Sequence, residues 1–182
     1  MKHTYKTYKT MKKITRHHII GMYQHLGVMA LGHMDDATLS AVLDNFDKFR
    51  QEQENFQKLS QELAKRLYEG KDEEKKKHFF ELVVKFENSE TLEQKIEQEK
   101  VMKTVYPEFF ELHTRQHRVV SQMLRKEIEI DITEIDRDAF ITGIVKGKKD
   151  APLHEIVALF APMFKEEAER TTDLSELDEY FK

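Results

Sequence analysis

Apolar positions recur at alternating spacings of three and four along one long stretch of the chain, residues 35–70. This spacing lines them along one stripe of an α-helix, and its strict repeat favours packing against a second helix. Charged residues fill most positions between them, as expected for a solvent-exposed face. The stripe contains Leu39, Val42, Phe46, Phe49, Gln53, Phe56, Ser60, Leu63 and Leu67. The pattern predicts one long helix with a coiled-coil-like seam.

Shorter helical patterns flank this stretch. A first helix is expected from an N-cap at Thr15 to about Leu31, followed by a short turn into the long helix. Two helices joined in this way are expected to pack antiparallel. Gly70 is a suitable residue to end the long helix, and a third helix is then expected to run back along it. Polar residues 88–91 interrupt that third helix, and residues 92–105 carry few apolar positions.

Residues 107–126 predict a further helix, because Pro107 is tolerated in a first turn and disfavours helix at the residue before it. Residues 127–133 then alternate between polar residues and isoleucine, a period of two that is typical of a half-buried strand. A strand needs a partner, because unpaired backbone groups are costly. The two candidates are residues 9–15 and the same strand of another protomer, which would make a dimer.

The C-terminal part predicts two short helices, residues 137–145 after a cap at Asp136 and residues 153–164 after Pro152. The expected fold is mainly α, a long antiparallel helical hairpin or bundle with a small C-terminal segment that contains one short strand. Its predicted divisions are a basic flexible leader (1–14), the bundle (15–126), a strand–helix–helix cap (127–164) and an acidic tail (165–182).

Composition narrows the class of protein. Charged residues make up 35% of the chain and glycine and proline are few, which favours extended helices over a compact α/β domain. The formal net charge of −4 gives no argument for nucleic acid. The absence of cysteine excludes disulfides, thiolate catalysis and cysteine-ligated metals. No apolar run approaches the roughly 18–20 residues that span a bilayer and no secretory signal is recognisable, so we expect a cytoplasmic protein without membrane contact.

Nothing in the sequence matches a catalytic motif. The six glycines are scattered, so no glycine-rich phosphate loop with a following Lys and Ser/Thr is present. No Gly-x-Ser-x-Gly elbow occurs, and the carboxylates lie on charged helical faces or on the polar face of the predicted strand. We therefore expect a protein that is not an enzyme and that has no cofactor.

Two of the nine histidines have a spacing that suits a metal. His113 and His117 lie four residues apart on one predicted helix, where both rings can reach one ion. The stretch lacks the Glu directly after the first His that a zincin helix has, and the Glu three residues before each His that di-iron bundles use. Arg115 and Arg118 add positive charge beside the pair. Structural or exposed histidines are the favoured interpretation, and metal binding is the third functional alternative.

The first sixteen residues carry six Lys and Arg and no acid, with Tyr5 and Tyr8 among them. A basic arm of this kind can contact phosphates while tyrosines stack on bases. The second functional hypothesis is therefore a nucleic-acid-binding accessory protein that uses this arm. Its further cations would be Arg115, Arg118, Arg125 and Lys126. A solvated leader is the simpler interpretation.

Two segments carry a resemblance to a known group of proteins. Tyr23 and Leu26 form a Tyr-x-x-Leu pair in the first predicted helix, ahead of long charged helices. A Leu-x-x-Glu-hydrophobic-Glu-hydrophobic-Asp segment follows within residues 123–132. With these features the chain resembles small uncharacterised phage and prophage proteins built from a helical hairpin, over residues 13–138. The resemblance implies the hairpin and no activity, and residues beyond 138 have no counterpart in it.

The favoured functional expectation is a non-enzymatic helical protein for protein–protein interaction or assembly. Its partner would be another protein or a second copy of the chain, because the predicted strand lacks an evident neighbour and residues 92–105 are thinly covered. The acidic tail is either a docking peptide for a partner groove or a segment folded onto its own domain. The residues expected to contact partners are Leu92, Ile96, Val101, Val105, Leu174, Leu177, Tyr180 and Phe181.

Overall fold

A computed structural model of the chain describes residues 9–148 and 152–165. Within those residues the protein is mainly helical, as predicted, with seven α-helices, one short 3-10 helix and two strands. The elements are β1 (Lys9–Thr15), α1 (Arg16–Leu26), α2 (Asp36–Tyr68), α3 (Glu73–Glu87), α4 (Leu92–Val105), α5 (Pro107–Arg125), β2 (Glu127–Thr133), α6 (Arg137–Gly147), α7 (Leu153–Phe160) and the 3-10 helix Ala161–Met163.

The long helix α2 forms where the apolar stripe predicts it. Asp35 precedes it and accepts a hydrogen bond from the Thr38 N–H at 2.9 Å, and this bond helps to hold the pKa of Asp35 below its ordinary value. Gly70, just past the helix, has a φ of 70°, a conformation that side chains strongly disfavour. Val42 and Phe49 are completely buried, and the other stripe positions are partly covered. The stripe is therefore the inner face of α2.

The two strands β1 and β2 pair in one antiparallel sheet. Residues 127–133 are a strand as predicted, and of its two candidate partners the structure has residues 9–15. For residues 9–14 this corrects the flexible leader expected over residues 1–14, because they belong to strand β1, whereas residues 1–8 of that leader lie outside the described residues. Lys9 and Lys13 of β1 form ion pairs with Asp131 and Glu129 of β2, and Lys12 forms one with Glu134, the residue after β2. A basic strand is therefore paired with an acidic one.

Caps separate the three consecutive helices α3, α4 and α5. Asp72 accepts hydrogen bonds from the N–H groups of Glu74 and Lys75 at the start of α3. Thr91 begins α4 with a capping box, in which Thr91 and Gln94 each accept from the other's backbone N–H. Pro107 is the first residue of α5, so the interruption at residues 88–91 and the break before Pro107 are both confirmed.

Three predicted helix ends are corrected. The first helix ends at Leu26 rather than near Leu31, directly before Gly27, a poor helix former. The helix expected over residues 153–164 ends at Phe160, and a 3-10 turn containing Pro162 follows, because proline removes a backbone donor. The helix that Asp136 caps continues beyond residue 145 to Gly147.

The described chain divides into two compact units. Unit 1 contains residues 9–12, 25–47, 130–148 and 152–165, and unit 2 contains residues 13–24 and 48–129. The division runs through α1, α2 and both strands, and so differs from the predicted boundary between residues 126 and 127. Because the predicted boundary followed local sequence patterns, it did not anticipate elements that contribute to both units.

In unit 1, Phe140 packs against Phe160 and Phe164, with ring centroids 5.4 and 5.5 Å apart. The buried Asn45 side chain bonds the backbone of Thr133 in both directions, donating to its carbonyl at 2.7 Å and accepting from its N–H at 2.8 Å. One amide side chain thereby joins α2 to the end of β2 and leaves neither Thr133 backbone group unsatisfied.

In unit 2, α4 packs against both α3 and α5. A buried aromatic and aliphatic cluster lies among these helices and the end of α2. Arg16 is also buried in this unit, where its Nε donates to Glu52 Oε1 at 2.6 Å and its Nη1 donates to the Met123 carbonyl at 3.1 Å. The cluster consists of Tyr68, Phe79, Val83, Met102 and Phe109.

Candidate interaction surfaces

Helix α4 has apolar side chains on more than one side. Met102 is buried and belongs to the aromatic and aliphatic cluster of unit 2. Leu92 and Ile96 have exposed fractions of 74% and 57%. They lie four residues apart and are therefore neighbours on one face of the helix. This pair, Leu92 and Ile96, is called the α4 apolar pair below.

The predicted contact residues of α4 do not all share that face. Val105 is 60% exposed, but it follows Ile96 by nine residues and therefore lies about 180° around the helix from it. Val101 is only partly exposed. The surface available to a partner at this face therefore consists of Leu92, Ile96 and the polar residues beside them.

An open depression of about 500 Å³ continues this face toward the end of α4. Glu99 and Lys103 form an ion pair across one turn, at 2.6 Å, and the Lys103 Nζ lies 5.2 Å from the ring centre of Phe110. These contacts hold one wall of the depression in place. Its lining residues are Ile96, Glu99, Lys100, Lys103 and Thr104.

The four predicted contact residues of the acidic tail, Leu174, Leu177, Tyr180 and Phe181, lie outside the described residues. Nothing in the structure therefore bears on the two interpretations of that tail.

The histidine pair of α5 is brought together as its spacing predicts. The Nε2 atoms of His113 and His117 lie 3.0 Å apart, and the His113 ring packs edge-on against Phe79 and Phe80. Burial, followed by the nearby His117, lowers the pKa of His113 from its ordinary value. The structure therefore favours the neutral form of His113.

The pair is an incomplete ligand set for a metal. Two histidines supply two nitrogens, whereas a protein zinc site has three or four protein ligands. No group of three or more candidate ligand side chains occurs in the part of the chain that the structure describes. In addition, the buried Nδ1 of His113 has no hydrogen-bond partner among the residues that the structure describes, although a ligating histidine ordinarily donates that N–H to a second group.

Five buried polar atoms of unit 2, including His113 Nδ1, have no hydrogen-bond partner among the described residues. They lie on the inner stripe of α2, at the end of α2 and on α5. Burial raises the pKa of Tyr68 to about 12, so its phenol stays neutral at ordinary pH. The atoms are Gln53 Oε1, Ser60 Oγ, Tyr68 Oη, His113 Nδ1 and Gln116 Oε1.

In the described part of the basic stretch proposed for nucleic acid, residues 9–16, the cations are paired with carboxylates. In unit 1, Lys9 and Lys12 lie 3.9 and 3.7 Å from Asp131 and Glu134. In unit 2, Lys13 lies 3.6 Å from Glu129, and Arg16 is buried against Glu52. Arg16 cannot contact a phosphate in this structure. The remaining predicted cations, Arg115, Arg118, Arg125 and Lys126, are exposed.

Unit 1 contains a groove that the sequence patterns did not reveal. It encloses about 370 Å³ between the end of α1, with the turn after it, and helices α6 and α7. Its apolar residues include Val28, Met29, Ile144 and Ile156, with His25 among its polar ones. These segments are more than a hundred residues apart in the chain, so no local period could have brought them together.

No helix among residues 9–148 and 152–165 combines the length and apolar character needed to cross a membrane. Comparisons with protein-family models, with curated proteins and with solved structures find no match for the chain.

Proposed function

We propose that the chain is a non-enzymatic helical protein for protein–protein interaction or assembly, and that α4 provides its contact surface. The observation that carries this proposal is the exposure of the α4 apolar pair on a capped helix whose Met102 is buried among neighbouring helices. Fully burying one such side chain in an interface stabilises a complex by about 1.5–3 kcal/mol, because its apolar surface is removed from water. A partner helix or groove would gain this stabilisation.

The rest of unit 2 serves in this proposal as a scaffold that presents α4. The buried aromatic and aliphatic cluster fixes α4 between α3 and α5, so the exposed face is offered without an ordering cost at binding. In the more detailed version of this proposal, the scaffold is a long antiparallel helical hairpin with a coiled-coil-like seam along the α2 stripe. The resemblance to phage and prophage proteins remains a prediction about biological setting.

The nucleic-acid alternative has weaker support. Its basic stretch is matched to acids in both units, and one of its cations is buried in an ion pair. Counterion release requires cations that are free to meet phosphates. Four exposed cations on α5 and beside it are a modest number for this purpose.

Site-specific photo-cross-linking tests the proposed surface. A diazirine amino acid replaces Ile96 in the full chain, and a control carries it at the exposed Glu81 of α3. Irradiation in an extract of the source cells is expected to give a discrete protein adduct from position 96 and none from position 81. Adding Leu92→Glu to the position-96 chain is expected to abolish that adduct. Equal yields at both positions, or an adduct that survives Leu92→Glu, would contradict the proposal.

A further inference from the structure

Charges beside the α4 apolar pair are divided along the helix. Glu93 and Glu97 lie on one flank in the first half of α4, and Lys100 and Thr104 follow on the same flank in the second half. All four residues are exposed. Glu93, Glu97 and Lys100 form no ion pair within the described residues, whereas the Lys103 charge is already matched by Glu99. The flank therefore carries two carboxylates at its start, then one ammonium at Lys100 and the neutral Thr104 toward its end.

We propose that the partner of this face is a second copy of the same chain, docked with its α4 antiparallel to the first. This inference rests on the proposed function and names the occupant of its surface. In an antiparallel pair of helices, each flank meets the same flank of the copy in reversed order. Glu97 of each copy then faces Lys100 of the other, and Glu93 faces Thr104. In a parallel pair each flank would instead meet the opposite flank of the copy, so Glu97 and Lys100 would not face each other.

The same arrangement places the apolar pair. An axis between residues 98 and 99 sets Leu92 of one copy over the end of α4 in the other, at the depression lined by Lys103 and Thr104. Ile96 packs against the aliphatic stem of the other copy's Lys100, which snorkels its charge outward. The contact is two-fold, so each copy both inserts a leucine and receives one.

Sedimentation equilibrium with matched charge variants tests the register. Glu97→Lys alone and Lys100→Glu alone each place like charges opposite one another, and each is expected to weaken self-association about tenfold. An equimolar mixture of the two variants restores both ion pairs, as does the double variant Glu97→Lys/Lys100→Glu. Glu81→Lys on α3 is the control and is expected to associate like the wild type. Circular dichroism establishes that each variant keeps its helix content.

Cysteine cross-linking tests the direction, and the chain contains no native cysteine to interfere. A mixture of Leu92→Cys and Thr104→Cys chains is expected to cross-link with a short bismaleimide, whereas Leu92→Cys alone is not. Cross-linking of Leu92→Cys to itself would overturn the antiparallel arrangement. Self-association that is as strong in both charge-reversal variants as in the wild type would contradict the α4 contact.

The proposed function and this inference fail in different ways. A monomeric wild type whose position-96 photoadduct contains a different protein would overturn self-pairing and leave α4 as an interaction surface. A monomeric wild type that gives no adduct in the cell extract would overturn both.

Discussion

Helices α2 and α4 treat their apolar residues differently, although both contribute to unit 2. In α2 every position of the predicted stripe is buried or partly covered, and Phe49 is completely enclosed. In α4 only Met102 is buried, while Leu92 and Ile96 are each more than half exposed. The comparison separates apolar residues that the fold requires from apolar residues that it does not use. It is the second class that indicates a partner.

The largest expected effect comes from the covered stripe. Phe49→Glu places a carboxylate at a completely buried position, and we expect it to lower the free energy of unfolding by about 4 kcal/mol or more. Gln51→Glu, at a nearby exposed position of α2, is the control and should change stability by less than about 1 kcal/mol. Urea denaturation of both variants provides the measurement. Equal stabilities would show that the α2 stripe is not the inner face.

The two sides of α4 can be compared with one kind of substitution. Met102→Ala removes buried contacts in the cluster and is expected to cost about 2–4 kcal/mol. Ile96→Ala truncates a side chain that is more than half exposed, and its free energy of unfolding is expected to stay within about 0.5 kcal/mol of the wild type. Thermal unfolding at low protein concentration, where self-association contributes little, measures both. A large loss for Ile96→Ala alone would mean that its face is covered within the chain.

Buried polar atoms mark a third kind of position, covered but unpaired. Replacing Gln116 by Leu removes an oxygen that has no hydrogen-bond partner within residues 9–148 and 152–165, so we expect the free energy of unfolding to rise by about 1 kcal/mol. Asn45→Leu in unit 1 should instead lower the stability, because it removes both hydrogen bonds between the Asn45 side chain and the backbone of Thr133. The two variants are measured by chemical denaturation. A loss of stability in Gln116→Leu would mean that its oxygen has a partner in solution.

The smallest expected effect is a pH dependence. Because the pKa of His113 is lowered in the folded chain, the unfolded chain binds a proton first as pH falls below 6.5. Stability is therefore retained above pH 6.5 and declines as pH falls from there through the folded pKa. His113→Phe should flatten this decline, whereas His78→Gln, at an exposed position of α3, should not. Unfolding curves across this range, compared between the two variants, test the assignment.

Local signals determined how much of the fold was predictable from the sequence. The bounds of α2, the break before Pro107 and the strand at residues 127–133 were all predicted, because periodicity, caps and proline act within a few residues. The choice of β1 as the partner of β2 was left open. It depends on pairing between segments more than a hundred residues apart, which no local pattern reports.

The candidate surface was predicted only in part. The sparse apolar residues of α4 pointed to an exposed segment, and Leu92 and Ile96 are indeed exposed. The prediction also included Val105, because the number of apolar residues alone does not show that Val105 lies about 180° around the helix from Ile96. The ion pair of Arg16 could not be predicted from the sequence, because its partner Glu52 lies on another helix, 36 residues away in the chain.

The central claim is that the α4 apolar pair is the surface through which two copies of the chain associate. It is tested most directly by sedimentation equilibrium of the wild type and of Leu92→Glu/Ile96→Glu at matched rising concentrations. We predict that the average mass of the wild type rises above that of the monomer, while the folded double variant remains monomeric. A double variant that associates as strongly as the wild type would contradict the account.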